Sequence, residues 1–227
     1  MTPADRLIVA LDVERAADAL AFAAKLEGVV RRVKVGLELY VAEGPSIVRA
    51  LAARGFSIML DLKLHDIPET VGRSVARAAE LGVELLTVHT GGGRKMLEAA
   101  AKAAGSTTIL GVTVLTSMDD RDLAEVGVEG GAAATVVRRA TLAMESGIGG
   151  VVCSPLEAAS IRAAAPKGFR IVTPGIRPAS AAVGDQKRVA TPAGALAAGA
   201  DLIVVGRPIR DAADPAAAAR AIIADLS

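Results

Sequence analysis

Eight short runs rich in Val, Ile and Leu recur along the chain, each followed by an Ala-rich amphipathic segment. This alternation limits the fold more than any other feature. The predicted strands are Leu7–Val13, Val33–Leu37, Ser57–Leu64, Leu85–Thr90, Thr108–Leu115, Gly149–Ser154, Arg170–Ile176 and Leu202–Gly206. Several are almost continuously apolar, the pattern of parallel strands covered on both faces. The predicted helices include Ala17–Leu26, Pro45–Arg54, Glu69–Leu81, Lys95–Ala104, Ala132–Ser146, Pro155–Ala165 and Thr191–Ala198. Asp214-Pro215 opens a last helix, with proline in its first turn. Gly28, Gly55, Gly82, Gly105, Gly147 and Gly199 closely follow helical runs and read as stops. Strands and helices alternating in this way predict an α/β fold, a single closed (β/α)8 TIM barrel spanning residues 1–227. The competing architecture is an open doubly wound sheet. Against it, the first βα turn lacks G-x-G-x-x-G, and polar residues stand at nearly every strand end rather than at one switch point.

The length of 227 residues matches the roughly 200 to 250 that such barrels occupy. Hydrophobic residues make up 52% of the chain and aromatics 2%, so the core must be built from Ala, Val, Ile and Leu. Net charge is +1, from 26 basic and 25 acidic residues, and no basic stretch is interleaved with aromatics, which speaks against a nucleic-acid partner. Cys153 is the only cysteine, so no intramolecular disulfide forms and a reducing compartment is expected. The apolar run Leu7–Leu11 stops at Asp12, too short for a signal-peptide core, and no run approaches the roughly 20 residues that span a bilayer. A soluble, cytoplasmic protein without a membrane partner is the expectation.

Barrel enzymes place their chemistry at the C-terminal ends of the strands. Those ends supply Asp12, then Lys34, then Asp61 and Lys63 with Asp66 just beyond, then Thr116, Arg177, and Gly206-Arg207. Asp61 and Lys63 are two apart on a strand and so point to the same face. Opposite charges inside a barrel are costly unless paired. A pair at ~4 Å gains about 4 kcal/mol at an effective dielectric of roughly 20. Lys34 on the neighbouring strand reaches the same cluster. Two lysines and two aspartates alternating in sign would all stay charged and form a pre-organised field for a reaction that develops negative charge. The structural alternative is an ion-pair network that closes the barrel mouth. Lys34 before the run and Asp66 after it favour catalysis over that alternative.

Asp61-Leu62-Lys63-Leu64-His65-Asp66-Ile67-Pro68-Glu69-Thr70 resembles the signature of the orotidine 5'-phosphate decarboxylase family. The similarity runs along the whole chain. It includes Ala10-Leu11-Asp12, Lys34-Val35-Gly36 and Val112-Thr113-Val114-Leu115-Thr116-Ser117. It continues through Thr173-Pro174-Gly175-Ile176-Arg177-Pro178, Gly184-Asp185-Gln186 and Val205-Gly206-Arg207-Pro208. The resemblance implies a cofactor-free decarboxylase using no metal, pyridoxal or thiamine. It implies that Lys63 donates the proton to pyrimidine C6, that Asp61 sits beside the departing carboxylate, and that Lys34 and Asp66 complete the charge network. It further implies that Asp12 and Lys34 hold the ribose hydroxyls, that Thr116 contacts the pyrimidine, and that Arg177, Gln186, Gly206 and Arg207 face the phosphate. The same likeness implies a homodimer in which Asp66, Ile67 and Thr70 serve the neighbouring subunit's site.

Several of these positions carry a second reading. Gly206 lets backbone N–H groups approach an anion and Arg207 offers a planar fork of donors, but the pair also suits a plain strand-ending turn. Asp66 could be a helix N-cap, with Glu69 completing a capping box. His65 reads as a support by hydrogen bonding. His89 either lines the pocket or is structural, and Cys153 reads as a small buried residue. Pro178–Arg188 has the composition of a lid over the phosphate, with Gly184 its only glycine. Sugar-phosphate decarboxylases and aldolases share the D-x-K-x-x-D core but work with magnesium. A divalent ion wants carboxylates, and Lys34 would repel it. A non-catalytic phosphate-binding barrel would show a broken charge set, and none of Lys34, Asp61, Lys63 or Asp66 is missing.

Overall fold

The computed structural model describes residues 1–177 and 190–226. Among them, eight parallel strands close into a barrel in sequence order. They are β1 (Leu7–Ala10), β2 (Arg32–Gly36), β3 (Ser57–Leu64), β4 (Leu85–His89), β5 (Thr108–Val112), β6 (Gly150–Val152), β7 (Arg170–Thr173) and β8 (Leu202–Val205). Closure comes from β1 pairing with β8, where Leu7, Ile8 and Val9 face Ile203, Val204 and Val205. The open-sheet alternative is thereby ruled out.

Alternation along each strand divides the core in two. Ile8, Ala10, Met59, Leu85, Leu110, Val172, Leu202 and Val204 fill the interior of the barrel. Their neighbours Leu7, Val9, Leu60, Leu86, Ile203 and Val205 point outward into the shell packed by the helices. Both faces are buried, which is why the strands read as continuous apolar runs.

The helices are α1 (Ala16–Leu26), α2 (Leu37–Glu43), α3 (Pro45–Ala53), α4 (Pro68–Ala79), α5 (Arg94–Ala103), α6 (Asp120–Glu125), α7 (Gly131–Glu145), α8 (Ala158–Ala164), α9 (Pro192–Ala197), α10 (Arg207–Arg210) and α11 (Pro215–Ala224). Asp214 caps α11 by accepting from the Ala217 N–H, with Pro215 in the first turn as expected. Gly82 adopts φ 72° where the α4 segment turns toward β4, a left-handed conformation that favours glycine.

Three short helices lie outside the predicted set. In α2, Leu37 and Val41 are exposed and Leu39 alone is buried, so its apolar residues mark no continuous stripe. The short α6 carries a capping box in which Asp119 accepts from the Asp122 N–H and Asp122 accepts from the Asp119 N–H. The single turn α10 starts directly at the end of β8. Predicted strands also ran past the observed ends, to Val13, Leu115 and Ile176. Leu11, Val114 and Ile176 remain buried, so the hydrophobic run outlasts the ladder where the chain bends over the mouth. No described helix is long and apolar enough to cross a membrane.

Candidate active site

A cavity of about 420 Å³ opens at the C-terminal ends of the strands, within the roughly 300–1,000 Å³ range of small-molecule sites. Its inner wall is apolar, formed by Ala10, Met59, Val112, Val152 and Val204. Asp12, Lys34, Asp61 and Lys63 line it from β1, β2 and β3 or just past them, and Arg177, Gly206, Arg207 and Arg210 line it from beyond β7 and β8. Thr116 and Ser117 line it from beyond β5.

The four charged residues form a chain of alternating sign. Lys34 Nζ lies 2.7 Å from Asp12 Oδ1 and 3.6 Å from Asp61 Oδ2. Lys63 Nζ donates to both Asp61 oxygens at 2.9 Å. Burial pushes the Asp61 carboxyl up, but Lys34 and Lys63 beside it, with hydrogen bonds from Lys63 and Thr87, hold it below the usual carboxylate value. Asp61 is therefore ionised at neutral pH and both lysines share its charge. Gly36 makes room for this packing, because a Cβ there would meet Asp12 Oδ1 and Lys34 Nζ at 3.1 Å each. The sequence reading left Gly36 without a physical role.

Lys63 reaches this position by a route that simple strand alternation does not describe. Leu60 pairs with Leu86 and Leu64 with Val88, so four steps along β3 match two along β4. Lys63 sits in that irregularity with φ 50°, the only non-glycine with positive φ among the described residues. Such a conformation costs of order 1–3 kcal/mol in a residue with a Cβ, and strain of this kind clusters at functional sites. The side chains of Asp61 and Lys63 still converge, but through a bulge rather than a regular pleat.

Other positions divide between the cavity and its surroundings. Thr116, Arg177, Gly206 and Arg207 line the cavity. Gln186 and the proposed lid, Pro178–Arg188, lie outside the described residues. Asp66 and Ile67 are exposed and Thr70 is half-buried, and none of the three lines the cavity of its own chain. The capping alternative for Asp66 does not hold: the N-cap of α4 is Ile67, with no side-chain cap bond. Asp66 Oδ1 instead accepts from the Ile67 N–H at 2.6 Å.

His65 and His89 stack, with ring centroids 5.4 Å apart and planes at 15°. His89 Nδ1 accepts from the Gly91 N–H and so caps the turn Thr90–Gly92, which is the structural of its two readings. Burial pushes the His89 imidazole down to about 4, with the charges of Arg139, His65 and Lys63 adding to the effect. Cys153 is buried and borders the cavity. Arg210 escaped the sequence reading; its guanidinium donates to the Asp12 carbonyl at 2.9 Å and pairs with Asp211.

A family model described as orotidine 5'-phosphate decarboxylase / HUMPS matches residues 5–222. The chain belongs to this family. Among its relatives, an orotidine 5'-phosphate decarboxylase of Anaeromyxobacter sp. (strain K) is 56% identical over 227 residues, all of both chains. One from Halorhodospira halophila is 55% identical, covering 98% of this chain and 96% of the relative. The solved orotidine 5'-phosphate decarboxylase from Lactobacillus acidophilus superposes with a TM-score of 0.88 at 38% identity, covering 98% of this chain and 99% of that one. The family match spans every strand of the barrel and all the cavity residues named above.

Proposed function

We propose that this protein decarboxylates orotidine 5'-phosphate to uridine 5'-phosphate and carbon dioxide, the last step of de novo UMP biosynthesis, without a metal or organic cofactor. Residues 1–227 act as one catalytic barrel domain. The observation that carries the reading is the Asp12–Lys34–Asp61–Lys63 array in a cavity that Arg177 and Arg207 also line. The 5'-phosphate lies against Arg177, Gln186, Gly206 and Arg207. Asp12 and Lys34 hold the ribose hydroxyls, and Thr116 contacts the pyrimidine.

The bond between C6 and the carboxylate breaks, and its electron pair stays on C6. The Lys63 ammonium stabilises that charge and then transfers a proton to C6, leaving a neutral amine that solvent reprotonates. Asp61 beside the departing carboxylate aims the Lys63 ammonium through its hydrogen bonds, and Lys34 balances Asp61. Asp66 completes the set from the neighbouring subunit of a homodimer, with Ile67 and Thr70 accompanying it. The exposed positions of Asp66 and Ile67 suit that arrangement. A magnesium-dependent sugar-phosphate reaction is disfavoured by charge, because the Lys34 ammonium stands between the Asp12 and Asp61 carboxylates where a divalent ion would need them. The buried, solitary Cys153 suits a reducing cytoplasm.

The test is the fall in orotidine 5'-phosphate absorbance on adding purified protein, with and without chelator. Turnover should proceed equally in both. Lys63→Ala should lower kcat by at least about 10³-fold in a folded protein, the scale of losing a general acid together with its charge. Near-normal turnover in that variant, or activity lost on chelation, would overturn the proposal.

A further inference from the structure

Lys63 lies where β3 slips its register against β4, and there its backbone N–H donates to the side chain of Thr87, to Oγ1 at 2.9 Å. The same oxygen lies 2.9 Å from Asp61 Oδ1. A hydroxyl has one proton to give, and a backbone N–H can only donate. The direction of both bonds is therefore settled: Thr87 accepts from Lys63 and donates to the Asp61 carboxylate. Thr87 is fully buried, so no water can substitute for it from bulk solvent. It does not line the cavity.

We propose that Thr87 is a positioning residue for the decarboxylation, its one hydroxyl fixing both the left-handed backbone that presents Lys63 and the carboxylate that holds the Lys63 ammonium. Asp61, Lys63 and Thr87 form a closed triangle, since Lys63 Nζ returns to Asp61. Without the hydroxyl, the Lys63 N–H loses this acceptor and the carboxylate loses a donor. The strained turn at φ 50° then loses the contact that favours it over a regular pleat. The ammonium would be delivered less accurately to C6, whereas the ribose and phosphate contacts would be untouched. The effect therefore falls on kcat and spares KM. This inference rests on the assignment of Lys63 as proton donor.

The experiment compares Thr87→Val, Thr87→Ala and Thr87→Ser in the full-length enzyme, with kcat, KM for orotidine 5'-phosphate and thermal melting measured for each. Val keeps the shape and removes the hydroxyl, while Ala and Ser differ from each other by that oxygen alone. Val and Ala should lower kcat by about 10- to 100-fold, the scale of losing one hydrogen bond to a charged group. KM should stay within about threefold, and Ser should restore kcat to within about threefold of the parent. Parental kcat in Val, a Ser variant as impaired as Ala, or a loss confined to KM would each overturn the inference. If Val does not fold, the Ala–Ser pair decides. If neither Val nor Ala folds while Ser does, the hydroxyl serves stability and the inference fails. An active Lys63→Ala would remove the underlying assignment, whereas an inactive Lys63→Ala beside a normal Thr87→Val would remove this inference alone.

Discussion

Arg32 and Lys34 stand two residues apart on β2, both turned into the barrel beside Ile8 and Ala10 of β1. Arg32 lies at the floor and Lys34 at the mouth. At the floor, the Arg32 guanidinium forks onto Glu84 at 2.9 and 2.7 Å and donates to the Asp5 carbonyl. That network is planar, bidentate and completed within one chain. At the mouth, the charges run in single file from Asp12 to Lys63 and face a cavity. Side-chain exposure rises from 11% at Lys34 to 38% at Lys63. The floor spends its charges on closing the barrel, and the mouth leaves one ammonium available to something else. Barrels in general separate stability from chemistry along this axis.

The sharpest way to break the comparison is to ask whether the mouth is complete in one chain. Asp66 is exposed and pairs with no described cation of its own subunit. Lys63→Ala and Asp66→Asn should each be inactive as homodimers. Mixed and allowed to exchange subunits, they should recover roughly a quarter of parental activity, because half the dimers are hybrids with one intact site of two. If Asp66 served its own subunit, no hybrid would hold an intact site and no activity would return.

The floor should behave in the opposite way. Arg32→Met removes one partner of a buried pair and leaves Glu84 without its fork. Glu84 is partly exposed, so the cost should be about 2–3 kcal/mol of stability, below the full penalty of a sealed pair. Thermal melting would show this loss, while kcat and KM of the remaining folded enzyme should match the parent. A large fall in kcat at an unchanged melting temperature would erase the division between floor and mouth.

How much of this could be read from the chain depended on the physics behind each feature. Strand order and barrel closure were legible because both faces of every strand are buried, which writes long apolar runs into the sequence. The mouth residues were legible because charges at the ends of such runs need a reason. Lys63's left-handed turn was not, since lysine carries no preference for positive φ and the D-x-K spacing fits a regular pleat equally well. Thr87 was invisible for a related reason: threonine is an ordinary strand former, and its second role appears only once β3 bulges past β4. Helix α2 was missed because Leu37 and Val41 are exposed and Leu39 alone is buried, too little for a helical period to show. The resemblance, not spacing, supplied the proposal that Asp66 acts across an interface, because a pattern within one chain does not record a neighbour.

The two ends should also differ in their response to acid. At the floor, hydrogen bonds from the Thr2 backbone and side chain, with the charges of Arg32 and Arg31, hold Asp5 below its usual value of 3.8. Its contribution is present above that value and fades only as pH falls through the lower folded one. At the mouth, burial holds His89 neutral down to about 4, against 6.5 for a free imidazole. Between those two values the unfolded chain binds a proton that the folded chain refuses, so stability drops as pH falls from about 6.5 toward 4. His65, Arg139 and Lys63 face the same ring and oppose its protonation. Asn can replace the ring nitrogen as acceptor for the Gly91 N–H without titrating, so His89→Asn should flatten the melting temperature across this range. The parent should lose stability steadily over the same interval. Equal slopes in the two proteins would place the acid-sensitive group elsewhere and deny the mouth this distinction from the floor.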